Sequence, residues 1–368
     1  MTSNFLDHIK EIEDHRIVGM TTYPLDEVLL TVLVGLLCRV EDFDEIEMLC
    51  IDQLDWLQQF LPFTAGIAPP QTLRRVLSSL CPRTLENAFT AWVSSLQETI
   101  SGVVAIDGKT LCGSKRDASG TGALHVVSAY AHEAGLVLAQ RAVEGKSNEI
   151  TAIPDVLNML EISGAIVTID AIGTQKAIAG QIVAKKADYL LALKGNQTAL
   201  HVDVVEFFSD PELSITCLQI ADTSFGHGRI EQRTCRVSTA ADWLVERHPE
   251  WKGLHSIAEI TAQRTHKKTG ETSCQTRYYI SSLQPDPAII LAASRSHWSV
   301  ENNVHWQLDV SLREDDNRTR KGHSARNLAM MRRAVLNMAR REPSKMSVKR
   351  KRLKAALNRT YREKLLAC

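Results

Sequence analysis

The run Val103-Val104-Ala105-Ile106-Asp107-Gly108-Lys109-Thr110 constrains this chain more than any other stretch. An uninterrupted set of apolar β-formers asks for a buried strand, and here the strand delivers a carboxylate at its end, which is costly unless something cationic compensates it. Taken alone, Asp-Gly after a strand is a turn signal. A second copy changes its weight: Ala165-Ile166-Val167-Thr168-Ile169-Asp170 is another apolar strand ending in Asp, followed by a helical pattern from Thr174 to Lys186. Two strand-end carboxylates on one sheet can share a divalent cation.

The flanking patterns predict the frame around these strands. Residues 1–100 read as an N-terminal helical domain, with Pro24-Leu25-Asp26-Glu27 opening an apolar helix and an amphipathic segment over Asp44 to Phe60. The two short helices on either side of Cys81-Pro82 read either as a pair binding DNA ends, with Arg74 and Arg75 toward phosphate, or as a plain helical cap. Residues 101–200 give three strands, a helix, a strand, a helix and a strand. This is a mixed sheet with flanking helices, and the order is similar to the ribonuclease H-like fold. Residues 201–288 predict a β-rich insertion, with strands at Ser214 to Ala221, Gln232 to Val237, Ser256 to Arg264 and Thr276 to Ser281. The core then returns over 289–340, opening on one long helix from Pro287 to about Leu312, and residues 341–368 form a basic C-terminal tail.

Composition excludes several classes. No run of about 18 uncharged apolar residues exists, so no membrane span is expected. The first residues lack a basic segment followed by an apolar core, so no secretory signal is expected and the protein is placed in the cytoplasm. The eight cysteines contain no C-x-x-C pair and read as scattered reduced thiols. The net charge of zero hides a polarity: residues 1–60 carry 13 acidic side chains against Lys10, Arg16 and Arg39, whereas residues 341–368 carry ten basic ones against Glu342 and Glu363. This asymmetry predicts that the C-terminal end meets phosphate and the N-terminal end does not.

The long helix must supply any third carboxylate. On a wheel of about 100° per residue, Glu301 sits among His297, Val304, Leu308 and Leu312, on the face expected to turn inward. Asp309 lies further round, with Trp298, Asn302 and His305, which makes Glu301 the better candidate. Three carboxylates without convergent thiols describe a hard-cation site suited to Mg2+ or Mn2+. Two such ions about 4 Å apart can serve phosphodiester chemistry on nucleic acid.

The chain resembles the DDE transposases of bacterial insertion sequences, most closely the H-repeat-associated proteins. The resemblance covers nearly the whole chain and is carried by Ile106-Asp107-Gly108-Lys109, Lys146-Ser147-Asn148-Glu149-Ile150-Thr151-Ala152-Ile153-Pro154, Thr168-Ile169-Asp170-Ala171, Leu193-Lys194-Gly195-Asn196-Gln197, His227-Gly228-Arg229-Ile230-Glu231, Tyr279-Ile280-Ser281-Ser282-Leu283 and the run from His297-Trp298 to Asp315. It implies a transposase that binds the terminal repeats of its own double-stranded element, cuts with two divalent ions on a triad of Asp107, Asp170 and Glu301, and joins the freed 3′-hydroxyl to target DNA. It also implies self-association and a place at the nucleoid.

Residues assigned to DNA contact are Lys109, Lys194, Asn196, His227, Arg229, Arg295, His297 and Asn302, with Arg233 beside them in the insertion. For Lys109, Lys194 and Asn196 a turn or capping role is the alternative. Trp298 reads as core packing rather than as a base-stacking platform. Ser147 reads as the N-cap of the first core helix. The chain departs from its relatives at Cys112, where many carry Arg, and it has Gly173-Thr174 at the junction after the second Asp. Loss of that arginine leaves open a DNA-binding remnant without catalysis, and a ribonuclease H-like nuclease shares the same triad.

Overall fold

The computed structural model describes residues 4–17, 19–96, 100–115, 122–143, 149–226, 228–238 and 242–368. Six helices come first: α1 (Phe5–Lys10), α2 (Leu25–Leu37), α3 (Phe43–Ile51), α4 (Leu54–Leu57), α5 (Pro70–Ser79) and α6 (Pro82–Leu96). Helix α1 starts on a reciprocal cap, with the Asn4 side chain accepting from the Asp7 N–H and Asp7 accepting from the Asn4 N–H. Helix α2 is apolar all round and every residue except Asp26 is buried, so it is the axis on which the others pack. Gly35 permits this packing, because a Cβ there would lie 2.5 Å from the Ile46 side chain of α3.

The sheet follows as β1 (Val103–Leu111), β2 (Leu124–Ala131), β3 (Leu136–Ala142), α7 (Glu149–Asn158), β4 (Ile166–Ile169), α8 (Lys176–Ala184) and β5 (Asp188–Leu193). Then come α9 (Thr198–Ser209), α10 (Pro211–Ser214), β6 (Leu218–Gly226), β7 (Arg229–Val237), α11 (Asp242–Arg247), β8 (Ser256–His266) and β9 (Thr272–Ser281). The strands form one nine-stranded sheet in the order β3-β2-β1-β4-β5-β9-β8-β7-β6. Strand β4 is parallel to both β1 and β5, and all other neighbours are antiparallel. The fold is mixed α/β and ribonuclease H-like.

Strands β6 to β9 extend this same sheet, since β9 pairs directly with β5 through Leu190 and Ser281. The strand expected from Ser214 begins instead at Leu218, because Asp210 caps a helical turn by accepting from the N–H groups of Glu212 and Leu213. Helix α12 (Pro287–Val300) crosses β1, β4, β5 and β7. The single helix expected to reach Leu312 is not uniform: beyond Val300 the backbone runs as two π-helical segments, Glu301–His305 and Gln307–Ser311. No helix of the described residues is long and apolar enough to cross a membrane.

The basic C-terminal stretch is not a free tail. After α13 (Ser324–Arg341) it forms α14 (Val348–Leu357) and α15 (Arg359–Leu366), which pack on the acidic N-terminal helices. Glu41 sits between two buried arginines, accepting from Arg332 at 3.1 Å and from Arg352 at 2.7 Å. Arg359 pairs with Asp55, and Trp56 Nε1 donates to Glu363 at 2.8 Å. Part of the charge asymmetry along the sequence is therefore neutralised inside the fold rather than left free for phosphate. Lys345, Lys349, Arg350, Lys354 and Lys364 remain exposed.

Glu41→Ala should cost about 3–5 kcal/mol in urea unfolding, since it leaves two arginines buried without a counter-charge. Arg359→Ala removes only exposed contacts, to Asp55, Gln53 and the Asp52 carbonyl, and should cost less than about 1 kcal/mol.

Candidate active site

The parallel register of β1 and β4 sets Ile106 opposite Ile169, so the next residue on each strand, Asp107 and Asp170, falls side by side. Asp107 lies within β1, paired to Ser128 of β2, and its Oδ1 accepts from the Gly108 N–H at 2.9 Å. Asp170 closes β4 in a turn, accepting from the N–H groups of Ile172 at 3.1 Å and Gly173 at 3.3 Å.

The first π-helical segment brings Glu301 to the same place. Its Oε2 lies 3.0 Å from His305 Nδ1, which in turn is 3.7 Å from Asp107 Oδ2. Ligand atoms of Asp107, Glu301 and His305 all lie within 4.8 Å of one another. Asp170 is outside that closest group, although its charge bears on Asp107. The face assignment from the helical wheel needs correction: Val304, Leu308 and Leu312 are buried as expected, but the Glu301 side chain is 65% exposed and looks into the open cleft.

A fourth carboxylate, Glu149 at the start of α7, was not assigned to the site from the sequence. It pairs with His125 Nε2 at 2.7 Å, and Gly108 makes the room: a Cβ there would lie 2.3 Å from Glu149 and 2.4 Å from His125. A glycine directly after the strand-end Asp was the available signal, but it reads equally as a turn residue. Lys146, Ser147 and His227 lie outside the described residues.

Burial pushes the Asp107 carboxyl up to about 7, opposed by the Gly108 N–H and reinforced by the negative charges of Asp170, Glu149 and Glu301. Asp170 is raised in the same way by burial and by Glu149, while the Gly173 and Ile172 N–H groups and Lys194 hold it down. Crowded oxygens whose mutual repulsion is left uncompensated are the donor set that a hard divalent cation satisfies. Asp107 and Glu301 belong, with His305, to the group whose ligand atoms lie within 4.8 Å of one another, and Asp170 follows Ile169, the partner of Ile106, on the neighbouring strand.

The residues assigned to DNA contact divide. Lys109 is buried in a carboxylate cage, 2.8 Å from Asp309, 3.3 Å from Asp315 and 4.0 Å from Glu314, so its charge is spent inside the protein rather than on phosphate. Asp309 thereby loses its claim as third ligand. His297 shares a hydrogen bond with Thr168 at 3.0 Å, and burial pushes its pKa down to about 4, so it ties α12 to β4 as a neutral ring. Asn196 donates to the Ala171 carbonyl at 2.6 Å and pins the loop after Asp170. Arg74 is turned onto Asp44 and the Phe43 ring. Lys194 and Arg229 are exposed, and Arg295 is half-exposed beside Asp222. Arg233, Arg264, Arg277, Arg295 and Asn302 line an open groove of about 570 Å³ that ends at Glu301. Trp298 is not core packing: it is half-exposed in this groove, with the Arg277 guanidinium 4.1 Å above its ring.

Residues 99–338 match the family described as "Transposase DDE domain", and residues 6–93 match the one described as "DDE_Tnp_1-associated". The chain is 38% identical over 368 residues to "Putative transposase YncI" of Escherichia coli O157:H7, covering 99% of this chain and 94% of that protein. It is 36% identical over 369 residues to "H repeat-associated putative transposase YhhI" of Escherichia coli strain K12, covering 98% and 97%. The piggyBac transposase synaptic complex with hairpin DNA superposes at a TM-score of 0.45 with 11% identity over 98% of this chain and 79% of that one, a likeness too loose to weigh.

A buried acid whose pKa is raised by folding stabilises the native state fully below its unfolded pKa, near 4, and that share is lost as pH rises through its folded value. The metal-free protein should therefore lose stability between pH 4 and about 7. Denaturation in chelator should show a shallower fall for Asp107→Asn and a more stable protein than wild type above pH 7.

Proposed function

This chain belongs to the DDE-domain transposases, and on that premise we propose that it binds the ends of an insertion element and cuts and joins DNA strands through Asp107, Asp170 and Glu301. One observation carries the reading: Asp107 of β1 and Asp170 at the end of β4 stand on neighbouring strands in the middle of the sheet, and Glu301 from the segment after α12 comes up to Asp107 beside an arginine-lined groove. Divalent ions, when bound, polarise the scissile phosphate and activate the attacking oxygen. Asp107, Asp170 and Glu301 would hold them, as Mg2+ or Mn2+ and as a pair.

The remaining residues have separable duties in this proposal. Lys194, exposed beside Asp170, offers a cation to the flanking phosphates, and Arg264, Arg277 and Arg295 track the backbone along the groove. Asn302 stands next to Glu301 at the groove's end, where an amide can donate to a phosphate oxygen. Arg229 extends the cationic track along β7. Such contacts are independent of sequence and weaken steeply with salt. Cys112 leaves the triad untouched: it is exposed, and its N–H donates to Asp315 at 3.1 Å, so the missing arginine removes at most one phosphate contact. Self-association on paired ends and action at the nucleoid belong to the same proposal.

The test is strand cleavage and joining on a duplex carrying the ends of the encoding element, with Mg2+ or Mn2+. Joined product that falls by roughly 100-fold or more in Asp107→Asn, Asp170→Asn and Glu301→Gln supports the reading, as loss of several kcal/mol of charge stabilisation requires. Cleavage without joining would point to a nuclease. A protein that shifts the DNA but cuts it with neither ion would be a DNA-binding remnant.

A further inference from the structure

The chemistry assigned above accounts for three carboxylates but leaves His305 unexplained. Its side chain is only 7% exposed, although it sits on the same π-helical segment as the largely exposed Glu301. The ring turns one nitrogen toward the cleft, with Nδ1 3.0 Å from Glu301 Oε2 and 3.7 Å from Asp107 Oδ2. The other nitrogen, Nε2, is buried with no hydrogen-bond partner among the described residues.

These surroundings decide where the proton sits. A neutral imidazole carries one N–H, on one or other ring nitrogen. Placed on Nε2, that N–H would be buried without an acceptor, and the Nδ1 lone pair would face two carboxylates. Placed on Nδ1, it donates to Glu301 and points toward Asp107. A metal-ligating histidine works the other way, offering a lone pair to the ion while its second nitrogen donates to an acceptor. Among the described residues nothing accepts from Nε2, and Nδ1 is the nitrogen that reaches Glu301, so the geometry makes the ring a donor rather than a ligand.

We infer that His305 is a positioning residue: its Nδ1–H holds the otherwise solvent-free-swinging Glu301 carboxylate toward Asp107, so that two of the three carboxylates are set in place before an ion arrives. A Glu that is 65% exposed has many rotamers to lose on capturing a cation, and a hydrogen bond from the buried side removes that entropy cost in advance. The π-helical turn serves the same end, because it places Glu301 and His305 on one wall of the cleft.

The inference rests on the proposed function, and Mn2+ uptake by the metal-free full-length protein separates the two. Binding is followed through the free-ion electron paramagnetic resonance signal, with pulsed measurements for nitrogen coupled to the bound ion. Wild type should bind Mn2+ without imidazole nitrogen coupling. His305→Leu should weaken binding by roughly 10- to 100-fold, in the range seen when the partner of a metal ligand is removed. His305→Asn, whose amide N–H overlaps the position of Nδ1–H, should restore most of it. Should the leucine variant not fold, His305→Gln replaces it with the same expected loss, since its amide reaches the Nε2 position instead. Unchanged binding in the variant lacking the donor overturns the inference alone, as does a nitrogen coupling that disappears in that variant. No Mn2+ uptake by wild type overturns both the inference and the proposed function.

Discussion

Everything at the candidate site depends on one backbone register, the parallel pairing that sets Ile106 of β1 against Ile169 of β4. The two strands are buried, and their apolar side chains have no other place to go, so the register is held by core packing rather than by the carboxylates themselves. A slip by one residue would send Asp107 and Asp170 to opposite faces of the sheet. The packing energy of the strands therefore supports an arrangement of like charges that would not form unaided.

The acidic residues near that register fall into two groups with opposite electrostatics. Asp309, Glu314 and Asp315 surround Lys109, and Glu314 is further paired with buried Arg333 at 2.9 Å, so this group is neutralised from within. Asp107, Asp170, Glu149 and Glu301 have, among the described residues, His125, His305 and the exposed Lys194 as partners. Asp107 and Lys109 stand two residues apart on β1 and so share one face of the sheet, yet Lys109 meets Asp309, Glu314 and Asp315 whereas Asp107 meets other carboxylates. Burial and the neighbouring carboxylates leave the aspartate with an elevated pKa, while the lysine two residues on is consumed as a structural tie.

The same economy of charge appears at larger scale. An acidic N-terminal helical region and a basic C-terminus meet through Glu41, Asp55 and Glu363. Arginines serve this buried junction because one guanidinium reaches several acceptors at once: Arg352 donates to the Leu36 carbonyl and Glu41, with a further contact to the Ser311 carbonyl. Beside the exposed lysines of the C-terminal helices, an arginine groove along β7, β8, β9 and α12 remains open to an external anion, where Arg264 and Arg295 stay partly exposed although Glu231 and Asp222 pair with them.

The sequence by itself determined the two apolar strands that end in aspartate and the mixed sheet with its helical flanks, because these follow from periodicities of two and 3.6 and from local residue chemistry. The tertiary structure decided the rest. That the strands after Ser209 join the core sheet depends on the pairing of β9 with β5, between residues about ninety positions apart, which no local pattern encodes. That Lys109 faces carboxylates and the basic tail faces acids depends on which distant charges share its surroundings, since a lone lysine or arginine looks the same whether it will meet phosphate or Asp309. Glu301's exposure and His305's burial were equally hidden, because a wheel of 100° per residue assumes an α-helix and the chain takes a π-helical path just where the two side chains are needed.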